Sequence, residues 1–467
     1  MTSEGLELKN QIQQLTRQAE KLSTPDIRDH IVEQLYKKSN NLMKEGVTFT
    51  NAKMDERTEK LDAILTSRIW GFPIMLIMLG AIFYLTIAGA NIPSSMLANF
   101  FGWMEGYITI AFSYFQAPDW LHGVLVLGLY RGTTWVISVM LPPMAIFFPV
   151  FALLENYGYL PRVAFNMDRL FKSVGAHGKQ SLTMAMGFGC NAAAVISSRI
   201  IESPRERMLS ILTNNFVPCN GRWGTLIVLA SLFMATGFTG GMQTLVTTLV
   251  VVGLVMFGIF VTFIVSWTLS KTALRGVPTH YTLELPPYRK PKLFDTVIRA
   301  SLTKSISVLN RAVKVAAPAA ILTWIIANIQ IGDTSILMHI VSFLNPLGQA
   351  IGLDGFILMA FLIGLPANEI VLPVLLMGYL STGALVDVDS IQDLKQIFLT
   401  NGWTWLTALN MMLFSLLHYP CGTTLVNIYK ETKSLKWTFW SFVIPTGIAF
   451  FVTWLVTEFV HYMRLLS

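Results

Sequence analysis

Several stretches of this chain are apolar for long enough to cross a bilayer, and that limits its fold more than any other feature. A span needs roughly 20 apolar residues, and backbone inside lipid must satisfy its own hydrogen bonds as helix or closed barrel. Complete spans are expected near 70–90, 130–154, 208–235, 242–268, 305–331, 401–427 and 437–460. Residues 96–118 are apolar and aromatic but hold Glu105, and are expected at the interface. Two further apolar stretches, 181–198 and 355–380, are interrupted by Gly, Pro and Asn. Only 13% of the residues are charged, against about 25% in soluble domains.

Charge fixes a topology. Residues 1–69 hold 11 Lys/Arg and 11 Asp/Glu, so the whole excess of +7 lies in the membrane part. Positive loops at 271–304, around Arg162 to Lys179, at Arg199 to Arg207 and at Lys430 to Lys436 are expected on the cytoplasmic side. The acidic loop with Asp387, Asp389 and Asp393 is expected outside. The assignment closes only if 181–198 and 355–380 are re-entrant hairpins entering from opposite sides. Nucleic acid is not an expected partner, because there is no basic soluble face. No signal peptide is expected, since a long charged stretch precedes the first apolar run.

An internal repeat agrees with this. Gly187-Phe-Gly-Cys190-Asn191 resembles Gly364-Leu-Pro-Ala-Asn368, and Pro218-Cys219-Asn220-Gly221 resembles Pro420-Cys421-Gly422-Thr423. Pro143 lies 48 residues before Asn191, and Pro318 lies 50 before Asn368. The halves, about 130–268 and 305–460, thus read as inverted copies with broken helices at matching places, the arrangement of a secondary transporter or gated pore. The fold expected is an all-α polytopic membrane protein, an inverted repeat of gate type with two broken re-entrant hairpins. Ahead of it, 1–68 is expected to be a cytoplasmic helical docking region, and 69–467 the transport domain. Leu8, Ile12, Leu15, Ala19 and Leu22 form one amphipathic stripe, Thr24-Pro25-Asp26 starts a second helix, and a third runs from Asn51 to Leu65.

Cys190, Cys219 and Cys421 are the chain's only cysteines, and each stands at a break. Too few for a disulfide framework, they can be small core hydrophobes or, beside opened carbonyls and carboxamides, ligands for a transition metal. Glu369 lies in an otherwise apolar stretch, where a charge costs about 2.5–3.5 kcal/mol. It either binds a cation or pairs with Arg222. His418, three residues before Cys421, is a further candidate ligand or a packing residue. Asn191, Asn220 and Asn368 can orient ligands or cap half-helices. The sequence holds no phosphate loop of Gly-x-x-x-x-Gly-Lys-Ser/Thr type, no His-Glu-x-x-His, no Cys-x-x-Cys and no Gly-x-Ser-x-Gly. No catalysis and no bound nucleotide are expected of this chain.

Phe151-Ala-Leu-Leu-Glu155-Asn-Tyr-Gly158-Tyr, Met186-Gly-Phe-Gly-Cys190-Asn191, Glu202-Ser-Pro-Arg-Glu-Arg207 and Asn215-Phe-Val-Pro-Cys219-Asn-Gly-Arg222 occur in that order. Leu283-Glu-Leu-Pro-Pro-Tyr-Arg289, Pro366-Ala-Asn-Glu369-Ile, Tyr419-Pro-Cys421-Gly-Thr-Thr-Leu and Lys430-Glu-Thr-Lys-Ser-Leu-Lys-Trp437 follow. Together they resemble the membrane (gate) domain of the bacterial ferrous iron transporter B (FeoB) family over roughly 55–460. Family members often read Met-Ser-Cys-Gly-Ala-Arg where this chain has Val217-Pro-Cys-Asn-Gly-Arg222, and Lys where it has Asn368. The resemblance implies Fe²⁺ uptake across the bacterial plasma membrane, with the N-terminus cytoplasmic and Cys190, Cys219 and Cys421 along the path. The family usually carries an N-terminal GTP-binding domain. Here a separately encoded small GTPase is the expected partner, besides the lipid bilayer and a further copy of the chain. Alternatives are a permease for Mn²⁺ or a nucleoside on the same fold, or a non-transporting gate-fold scaffold.

Overall fold

The computed structural model describes residues 25–46, 52–67, 69–276, 288, 297–298, 305–386 and 391–466. The stripe from Leu8 to Leu22 and most of the basic loop 271–304 lie outside them. The chain divides into two units, Met1–Leu61 and Asp62–Ser467. In the first unit α1 spans Pro25–Gly46, beginning at the predicted proline, and α2 spans Ala52–Leu65, running into the second unit.

The second unit opens with α3, Gly71–Tyr114, one continuous helix of 44 residues. At 1.5 Å per residue it is about 66 Å long, more than twice a bilayer's apolar thickness of roughly 30 Å. Residues 96–114 therefore continue the first span and are not a separate interfacial segment. Glu105, the residue that argued for an interface, is paired with Arg131 of the next helix. The partner lies 26 positions away, beyond the reach of a local reading.

From there the same series of helices occurs twice. α4 (Asp119–Tyr157) has a π-helical stretch at Gly123–Tyr130 and is followed by α5 (Tyr159–Ser173), α6 (Gln180–Gly189) and α7 (Asn191–Ser197). Next come α8 (Pro204–Thr213), α9 (Asn220–Leu229) and the long α10 (Gly241–Lys271). The second series is α11 (Ile306–Asn328), α12 (Ile336–Ala350), α13 (Gly355–Ile363), α14 (Val371–Leu380), α16 (Trp405–Leu417), α17 (Gly422–Thr432) and α18 (Leu435–Leu466). α15 (Ile391–Thr400) is an insertion with no counterpart. Two of the pairs match closely in length: α5 and α12 both have 15 residues, and α10 and α18 have 31 and 32. A two-residue strand pair, β1 (Gln330–Ile331) with β2 (Thr334–Ser335), closes the turn after α11.

Among the described residues five helices are long and apolar enough to span: α3, α4, α10, α11 and α18. The expected spans at 208–235 and 401–427 are not continuous. Each is cut by its Pro-Cys pair into two half-helices, α8 with α9 and α16 with α17. Proline removes an amide donor and clashes with the preceding turn, so the cut falls where the sequence places it. Residues 355–380 fold as two half-helices joined by a turn, and α12 meets α13 at 114°.

The halves cross closely where α4 passes α11. A Cβ on Gly132 would strike Ala320, so only glycine permits that approach. Aromatic and aliphatic side chains along α3, such as Ile77, Tyr84 and Phe100, face outward, as lipid contact requires.

Candidate functional site

Four breaks in the helices build the site. At Cys190 the chain between α6 and α7 is extended, with φ −157 and ψ 119. At the matching place in the second half, Ala367 has φ −150 and ψ 120. The Pro-Cys breaks also match: Cys219 has φ −87, ψ 172 and Cys421 φ −59, ψ 158. Each of these residues precedes the first turn of a half-helix, where backbone N–H groups lack intrahelical partners.

All four converge on one cavity of about 30 Å³. Its wall includes Cys190, Asn191, Cys219, Asn368, Glu369 and Cys421, which the sequence singled out, together with Met140 and Met144. The volume is that of about one water molecule, so an ion entering it must give up most of its hydration. Cys190 and Cys219 are buried and Cys421 partly so; none forms a disulfide.

The hydrogen bonds around the cavity are incomplete. The buried Asn368 Oδ1 has no hydrogen-bond partner. Asn191 Oδ1 accepts from Asn214 Nδ2 at 3.3 Å. The Cys421 sulfur lies 3.2 Å from Thr424 Oγ1. Cys190 and Cys219 stand at the N-cap positions of α7 and α9 without a side-chain cap hydrogen bond. Half-helix starts carry partial positive charge, which disfavours a bare cation. Sulfur ligands and a carboxylate are the groups able to offset it.

Glu369 supplies that carboxylate. Its carboxyl carbon sits 2.5 Å from where a Cβ on Gly221 would be, so it rests against the first turn of α9, at the positive end of that half-helix. The alternative role, a pair with Arg222, is not found among the ion pairs of the described residues. The Arg222 guanidinium, 1% exposed, instead donates to Asn215 O at 2.8 Å, Leu416 O at 2.8 Å, Tyr419 O at 3.0 Å, His418 O at 3.1 Å and Asn215 Oδ1 at 3.2 Å. Leu416, His418 and Tyr419 lie at the C-terminal end of α16, where carbonyls are left over and positive charge is favoured. Arg222 therefore stitches the break of the first half onto that of the second. The carbonyls of Asn215, Leu416, His418 and Tyr419 are spent on it.

Two more candidates stand elsewhere. Asn220 lines a neighbouring apolar cavity with Phe147, Phe188 and Trp223. His418 does not line the sulfur cavity: its Nδ1 meets Phe414 O at 3.0 Å and Ser415 O at 2.9 Å, and its ring stacks on Phe414. The chain turns extended at His418, with φ −64 and ψ 175, so the helical spacing to Cys421 does not hold. Among the described residues no group of three or more His, Cys, Asp or Glu is arranged to hold a metal ion. The cavity collects the ligands without closing them into a coordination shell. Met140 and Met144 were missed by the sequence reading, although their spacing of four on an apolar helix was a usable signal.

A second cluster forms where Asp62 meets α5, ahead of the first span. Arg162, 1% exposed, holds both Asp62 oxygens at 2.9 and 3.0 Å. Its guanidinium lies 4.1 Å over the Tyr288 ring, and Tyr288 donates to Asp62 at 2.7 Å. Burial pushes the Asp62 carboxyl up, but the Arg162 and Tyr288 hydrogen bonds outweigh it and hold it below the usual carboxylate range. The Leu283–Arg289 motif is thereby tied to the entry of the membrane domain at its tyrosine.

The fold is that of an all-α polytopic membrane protein. The family model described as Gate, nucleoside recognition, matches residues 137–235 and 309–435, and the one described as ferrous iron transport protein B C terminus matches 251–302. Fe(2+) transporter FeoB of Staphylococcus aureus (strain MSSA476) is 29% identical over 93% of this chain and 63% of its own length. FeoB of Methanocaldococcus jannaschii is 26% identical over 91% of the chain and 62% of the relative. A Porphyromonas gingivalis protein named as a fusion of Fe(2+) transport protein A and FeoB is 26% identical over 92% of the chain and 55% of the relative. These matches over most of the chain are consistent with the membrane domain of the FeoB family. It spans less than two thirds of the length of these relatives. No solved structure matches it.

Proposed function

We propose that the chain moves Fe²⁺ inward across the bacterial plasma membrane, through the cavity where the four breaks meet. One observation carries this reading: all three cysteines of a 467-residue chain line the same small cavity as Glu369. Sulfur donors suit transition metals over Mg²⁺ or Ca²⁺, and the relatives are named Fe(2+) transporters. The ion pauses partly dehydrated at the sulfurs and Glu369 and leaves when the half-helices rearrange. The open ligand arrangement favours release, since conduction needs binding weak enough to leave.

A nucleoside, the solute in the matched model's description, does not fit a cavity of about 30 Å³ with no aromatic side chain in its wall. Pockets for organic ligands run about 300–1,000 Å³. Mn²⁺ is the nearer competitor. We further propose that the chain works with a separately encoded GTPase docking on the helices of 1–66, with the N-terminus in the cytoplasm. Uptake into proteoliposomes, with Fe²⁺ and Mn²⁺ compared, tests the substrate: Fe²⁺ should enter faster, and equal rates or none would overturn the assignment. GTP turnover by the purified chain alone would overturn the separate GTPase.

A further inference from the structure

The wall of the sulfur cavity contains more sulfur than the proposed iron path requires. Met140 and Met144 stand one turn apart on α4, so they share a face, and both line the same cavity as the cysteines. They are 8% and 3% exposed. Methionine is a frequent filler of irregular cores, but here both methionines line a space that is also lined by the chain's every cysteine. Thiolate and thioether together select soft ions. A divalent ion wants four or more ligands, and no cluster of His, Cys, Asp and Glu among the described residues supplies even three. A monovalent d¹⁰ ion is satisfied by two or three sulfurs.

We propose that this cavity is a binding site for a soft monovalent cation, Cu(I) or Ag(I), held by one or two of Cys190, Cys219 and Cys421 together with the thioethers of Met140 and Met144. Charge balances with one cysteine: a thiol loses its proton to solvent, the sulfur bonds the ion, and the unit is neutral. Thioethers bring no charge and no proton, so they add ligation without cost in a low-dielectric interior. The volume, that of about one water, holds one ion. The inference rests on the donor set and stands apart from the iron reading. If both hold, Cu(I) blocks Fe²⁺ passage.

The test uses the full chain in lipid nanodiscs, without iron, titrated anaerobically with Cu(I) against bicinchoninate. One equivalent per chain is expected to leave the competitor. Met140→Leu with Met144→Leu should weaken that binding at least tenfold, and the triple Cys→Ser variant should abolish it. Failure of the wild type to withdraw Cu(I), or binding untouched by both sets of changes, overturns the proposal. Because a variant can fail to fold, the copper K-edge spectrum of wild type loaded with one equivalent gives the second reading. A sulfur-only shell is expected, and a shell dominated by nitrogen or oxygen overturns it. None of these readouts requires iron transport, so failure of the transport reading is seen separately.

Discussion

Arg222→Lys separates two accounts of the same buried charge. If Arg222 were there to neutralise Glu369, lysine would keep the charge and the protein would tolerate it. The structure gives the guanidinium a different task, donating to five oxygens from Asn215, Leu416, His418 and Tyr419. An ammonium has three donors and cannot span those positions, so at least two of the five bonds are lost; His418 O keeps Asn215 Nδ2 as a donor, so at least one acceptor is left without a partner. Each buried polar group so orphaned costs about 1–3 kcal/mol, which sets a destabilisation of at least that size. That is a large part of a typical domain's stability, about 5–15 kcal/mol. Thermal unfolding of the detergent-solubilised protein, followed by tryptophan fluorescence, measures it. The Lys variant should melt several degrees lower, and Arg222→Met should scarcely accumulate. A Lys variant with the wild-type midpoint would refute the reasoning and restore the ion pair.

Other expectations follow from the same geometry. Gly221→Ala places a methyl group against the Glu369 carboxyl; it should lower Fe²⁺ uptake per reconstituted molecule, and normal uptake would show that Glu369 need not rest on α9. Glu369→Gln should lower uptake while leaving expression unchanged, since Arg222 does not depend on it; loss of yield with normal specific uptake would reverse that assignment. Asp62, held below the usual carboxylate range, contributes stability that is full above its unfolded value and is lost as pH falls through its lower folded one. The melting gap between wild type and Asp62→Asn should therefore be widest near pH 7 and close below about pH 4; a gap independent of pH would remove the charge from the explanation.

Much of the fold could be read from local pattern. The run at 242–268 became α10, and the Pro-Cys pairs cut their helices as proline chemistry requires. The cavity was partly legible because scarce residue types, three Cys and one Glu in an apolar stretch, stood at the breaks. What the sequence hid were partners without a local signature. Arg222 bonds backbone carbonyls some 194 residues away, and every residue carries a carbonyl, so no pattern marks the ones it will find. Glu105 looked interfacial because Arg131 was not within its own segment. His418 left the expected face because the helix ends at it. The relation of α1 and α2 to a partner has no residue-level signal of its own.

The most direct test of the cavity as an ion path is ⁵⁵Fe²⁺ uptake into proteoliposomes by the variant with Ser at 190, 219 and 421, set against wild type at equal reconstituted amount. The path requires a loss of at least tenfold with insertion and melting temperature preserved. Undiminished uptake by that variant would mean that iron does not pass the sulfurs.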